Sequence, residues 1–120
     1  LHIHTHLLEI GPDPTAVLTH MILEASHQTP TTTIIPTLIE NDPYSAASAD
    51  LSLTHLPRHT ITGYSTDPHT TSQAKATLPL DGADILTSEI LGNILSSEAF
   101  PHILHSAMCS GLINSHTKAI

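Results

Sequence analysis

Apolar positions along this chain alternate between two spacings, and that switching predicts its elements. From Ile3 the apolar and polar residues first alternate, with His2, His4 and His6 on one side and Ile3 and Thr5 on the other. The segment then runs apolar through Leu7, Leu8 and Ile10. That pattern predicts a strand buried on at least one face. Gly11-Pro12-Asp13-Pro14 ends it, and Thr15 stands where an N-cap would. Val17, Leu18, Met21, Ile22 and Ala25 follow at helical spacing, predicting a helix over about 16–26.

The β-branched run Thr33 to Ile39 predicts a second strand, and Pro36 within it, which removes a ladder donor, argues either against the strand or for a sheet edge. Pro43 to Leu53 is weakly helical, with Ala46, Ala47 and Ala49 and a proline in its first turn. Thr60 to Tyr64 predicts a short strand. The broken stretch 65–80 predicts a loop, and Ala83 to Ser88 another strand. Residues 99–109 predict a last helix, with Ile103, Leu104, Ala107 and Met108 on one side.

Strands alternating with helices imply an α/β fold, a parallel sheet with helices on both faces. Such sheets bind ligands outside the carboxyl ends of their strands. Each predicted strand ends near an acid: Glu9-Ile10-Gly11, Glu40-Asn41-Asp42, Asp67, and Ser88-Glu89. In a parallel sheet these groups converge. A carboxylate after the second strand is suited to accept hydrogen bonds from a ribose diol.

Composition narrows the partners. Among 120 residues, Lys and Arg total 3 against 11 Asp and Glu, a net charge of −8. So few cations cannot neutralise a phosphate backbone, which argues against direct nucleic-acid binding and favours a cationic partner. No apolar run approaches the ~20 residues of a membrane span. The single Cys109 excludes an internal disulfide and fits a reducing compartment.

Four stretches together resemble the protein arginine methyltransferases. Ala83-Asp84-Ile85-Leu86-Thr87-Ser88-Glu89-Ile90-Leu91-Gly92 looks like the family's double-glutamate loop, and Glu98 lies nine residues after Glu89, the family's spacing. Leu38-Ile39-Glu40-Asn41-Asp42-Pro43 resembles the segment whose acid binds the ribose of S-adenosylmethionine. Tyr64-Ser65-Thr66-Asp67 resembles the acidic turn near the adenine. Leu7-Leu8-Glu9-Ile10-Gly11 resembles the opening of the first cofactor motif. The match runs in order over roughly residues 5–105. Ile90-Leu91 after Glu89, and the aliphatic helix from Val17, are closer to the type II, symmetric-dimethylating class.

The resemblance implies a Rossmann-like methyltransferase domain, with residues 1–120 its N-terminal part and the later strands and β-barrel domain missing. It implies S-adenosylmethionine as cofactor, held by Gly11, Glu40 and Asp67. Glu89 and Glu98 would be catalytic, clamping the substrate guanidinium by charge-assisted hydrogen bonds. Substrates would be Arg-rich protein tails of histones or RNA-binding proteins. The compartment would be cytoplasm or nucleus, with a homo-oligomer or a partner subunit possible. The sequence departs from the family after Gly11, where Pro12-Asp13-Pro14-Thr15 replaces a glycine-rich loop.

Two other functions are open. His2, His4 and His6 share one face of a strand, as the metal-binding histidines of amidohydrolases do. With 11 His in the chain, chance clustering accounts for them, and the expectation is no specific metal site. A methyltransferase-like domain with an altered glycine loop would also serve as an inactive copy or a non-catalytic interaction subunit.

Overall fold

The computed structural model describes residues 3–12, 16–28, 31–88 and 99–119. Nine elements follow in the order β1 (Ile3–Ile10), α1 (Val17–Ser26), β2 (Thr32–Glu40), α2 (Pro43–Ser52), β3 (His59–Thr62), α3 (Pro68–Lys75), β4 (Ile85–Ser88), α4 (Ala99–Cys109) and β5 (Lys118–Ala119). The five strands form one sheet in the order β3-β2-β1-β4-β5, and all four pairings are parallel. The fold is α/β and Rossmann-like.

Strand parity sorts the core into two layers. On one face Leu8, Ile10, Ile39, Ile61 and Leu86 cluster with Ala74 of α3 and Ala107 of α4. On the other, Leu7, Ile34 and Leu38 cluster with Leu23 of α1 and Ala49 of α2. β1 is covered on both sides, so its carboxyl half is buried without alternation, Leu7, Leu8 and Ile10 together with the polar Glu9. No helix among the described residues is long and apolar enough to cross a membrane.

Three expectations change. β2 is an interior strand, not an edge, despite Pro36. Gly11 N–H bonds Ile39 O, whereas Gly63 N–H bonds Glu40 O. Odd-numbered residues of β2 therefore present their backbone polar groups to β1, and even-numbered ones to β3. Pro36 faces the β3 side, and there the ladder begins only at Thr37–His59. The missing donor costs no sheet bond.

The stretch 65–80 is not all loop, because α3 lies within it. Pro68 opens that helix after Asp67, and its buried face is Thr70, Thr71 and Ala74. With so little aliphatic surface its period is invisible in the sequence; tertiary burial supplies the stability that propensity does not. Finally, Lys118–Ala119 pairs with β4 as a fifth strand, where no strand was expected.

Candidate functional site at the carboxyl edge

Chain direction reverses its progress across the sheet between β1 and β4, the position where open α/β sheets bind ligands. β1 delivers Gly11 to this edge. Its φ of 71° lies in the left-handed region, which a residue without Cβ adopts at no steric cost. Its N–H donates to Ile39 O at 2.8 Å, which holds the turn against the end of β2. Glu40 is the next residue of β2 beyond Ile39. Gly11 and Glu40 are thus brought together by one backbone bond and the β1–β2 register.

Glu40 is half-buried. Its Oε2 accepts from the backbone N–H of Asp42 at 3.0 Å. Asp42 in turn caps α2, accepting from Ser45 N–H at 3.2 Å and from the Ser45 hydroxyl at 2.8 Å. Those bonds from Ser45 hold the Asp42 carboxyl below its ordinary value of 3.8. The loop after β2 is therefore locked by its own side chains, with Oε1 of Glu40 uncommitted among the described residues.

Asp67 sits farther out. It follows β3 by five positions, at the N-cap position of α3, and its side chain makes no bond to the helix backbone. Its Oδ2 accepts a long 3.4 Å bond from Thr70. Tyr64 closes the intervening turn, accepting at its carbonyl from Asp67 N–H at 2.9 Å. Glu89 and Glu98 lie outside the described residues. Ser88, at the end of β4, pairs with Ile10, and its hydroxyl donates to Ile10 O at 2.8 Å.

Glu9 differs from the other strand-end acids. It is wholly buried, on the face of β1 that meets α1, where the hydroxyl of Thr19 donates to its Oε1. It is an internal polar group, not part of an acidic rim. The alternation rule carried this signal, since Glu9 shares parity with the buried Leu7.

The turn from β1 into α1 opens with a proline. Pro12 is fully buried and has no N–H to offer a ligand. Thr15, expected as the N-cap of α1, lies outside the described residues. The N-cap is Ala16, in a left-handed conformation of φ 53° and ψ 47°, without a side-chain cap. No family model matches this chain, and none of the curated proteins does.

The histidines of β1 lie at the opposite end of the strand from this edge. His4 is exposed and His6 half-buried, both on the amino-terminal half, and His2 lies outside the described residues. His6 is tied through its backbone, its N–H donating to Asp84 Oδ2 at 2.8 Å. Among the described residues no three His, Cys, Asp or Glu side chains converge as metal ligands.

Proposed function

We propose that this chain is the cofactor-binding part of an S-adenosylmethionine-dependent methyltransferase acting on arginine side chains of proteins. The observation that carries the reading is the pairing of a left-handed Gly11 with Glu40 across the carboxyl ends of β1 and β2, at the centre of a parallel sheet. A backbone turn without Cβ permits close approach, and the free oxygen of Glu40 supplies an acceptor for a ribose diol. Asp67 would face the adenine side from the start of α3. S-adenosylmethionine, when bound, supplies the activated methyl group.

In this reading Glu89 and Glu98 hold the guanidinium, and their two negative charges match its planar, forked cation. The gain is positioning and electrostatics without a covalent intermediate. The overall charge of −8 suits Arg-rich tails such as those of histones or RNA-binding proteins. A site of action in cytoplasm or nucleus, and assembly with a second copy or a partner subunit, belong to the same proposal.

Calorimetry with S-adenosylmethionine tests the assignment. Glu40→Ala should weaken binding by about 1–3 kcal/mol, the scale of a hydrogen bond to a charged group. Equal affinity in variant and parent removes Glu40 from the site. No affinity in the full-length protein would leave a non-catalytic interaction domain.

A further inference from the structure

The peptide group between Ile10 and Gly11 is gripped from both sides of β1. Its N–H, carried by Gly11, donates to Ile39 O on β2 at 2.8 Å. Its C=O, carried by Ile10, accepts from the Ser88 hydroxyl on β4 at 2.8 Å. A trans peptide group is planar, with its N–H and C=O pointing in opposite directions. One bond to each neighbouring strand therefore fixes how that plane is turned.

The orientation matters because the next soft dihedral is φ of Gly11, at 71°. Glycine takes positive and negative φ with similar ease, so its own sterics do not hold this value. A turn of the Ile10–Gly11 plane changes φ of Gly11 directly. The restraint comes from the bonds at the two ends of the plane, and only one of them is supplied by a side chain. Ser88 is buried and pairs with Ile10, on the face where Ile10, Leu86 and Ala83 form an aliphatic layer. A hydroxyl in such surroundings is costly unless it is hydrogen-bonded. Here its proton goes to the carbonyl that immediately precedes the turn. A carbonyl that accepts also polarises its own peptide N–H, which strengthens the bond to Ile39.

We propose that Ser88 is a positioning residue for the cofactor turn. Its hydroxyl locks the Ile10–Gly11 plane and keeps Gly11 in the left-handed shape that S-adenosylmethionine meets. This role rests on the methyltransferase reading of the edge. Ser88 acts through Gly11, with no contact to the reacting atoms. Without the hydroxyl the turn samples other shapes, and binding has to restore the ordered one. Affinity falls, while the rate of the loaded enzyme does not.

Ser88→Ala in the full-length protein removes the hydroxyl and little volume. Without cofactor, amide exchange at Gly11 should quicken about three- to tenfold, the loss of one hydrogen bond, while Leu7 and Leu8 keep their rates. Calorimetry should show S-adenosylmethionine binding weakened by a similar factor of about three to ten. In methylation assays below the melting midpoint, the cofactor KM should rise by that factor and kcat should stay within about twofold. A purely structural role gives the opposite split, with less folded protein lowering kcat at unchanged KM. Unchanged exchange at Gly11, acceleration spread equally over β1, or unaltered cofactor affinity overturns the proposal. A parent protein without S-adenosylmethionine affinity overturns the methyltransferase reading and this role with it, and the exchange at Gly11 then reports separately whether the hydroxyl holds the plane.

Discussion

Single residues set the chemistry of this edge by backbone constraint as much as by charge. Gly11 adopts its left-handed turn freely, whereas Ala16 holds a similar conformation at a cost of about 1–2 kcal/mol for a residue with Cβ. Ala16 is wholly buried in the layer beneath α1, and that packing holds it in place. Glu40 keeps one carboxylate oxygen free because the other is spent on its own turn. Glu89 carries the sharpest prediction at this scale. Gln keeps its shape and removes the charge. In the full-length protein Glu89→Gln should leave S-adenosylmethionine affinity intact and slow methylation of an Arg-containing peptide by about 10²–10³-fold. Glu98→Gln should act similarly, and the double variant should fall short of the summed loss because both groups hold one guanidinium. Near-normal turnover in Glu89→Gln would return both glutamates to ordinary loop residues.

Among the elements, α2 and β3 are joined by a polar clip that no periodicity announces. Arg58 donates from Nε and Nη2 to the two carboxylate oxygens of Asp50, both at 3.0 Å. Thr60 adds a third bond to the same carboxylate at 2.8 Å. The bonds from Arg58, followed by that from Thr60, hold the Asp50 carboxyl below its ordinary value of 3.8. A depressed folded value means that the unfolded chain takes up the proton first as pH falls. The clip's contribution is therefore complete above about pH 3.8 and is lost as pH drops through the lower folded value. Thermal melts should show a fall in midpoint on acidification below that point, and Asp50→Asn should show a smaller fall over the same range. An identical pH profile in the variant would mean that the clip does not contribute. Solvent reaches Asp50, so the effect should shrink in high salt.

Over the whole molecule, stability is concentrated in the middle of the sheet. β1 has neighbours on both edges and helices on both faces, whereas β5 is two residues at an edge. Local opening free energies follow such differences in burial and pairing. Hydrogen exchange should be slowest at Leu7, Leu8 and Ile10 and fast at Lys118 and Ala119. Exchange in β1 as fast as in β5 would contradict the two-layer core. The same central strand leads directly into Gly11, so the most deeply paired strand of the sheet supports the candidate cofactor edge.

The alternation of apolar blocks determined the α/β class and the positions of β1, α1, α2, β3, β4 and α4, because each has a local period or punctuation strong enough to read. Glu40 at a strand's carboxyl end was legible for the same reason. Other features depended on neighbours distant in sequence. α3 is a helix because the sheet covers its threonines and Ala74, a force absent from its own composition. Pro36 is tolerated inside the sheet because β3 is short on the side that its missing donor faces. Glu9 leaves the acidic rim because parity turns it under α1 toward Thr19. The 3.4 Å contact between His105 Nε2 and Cys109 Sγ combines both sources. Their spacing of four is written in the sequence, but only the burial of Ala107 decided that this side of α4 meets solvent.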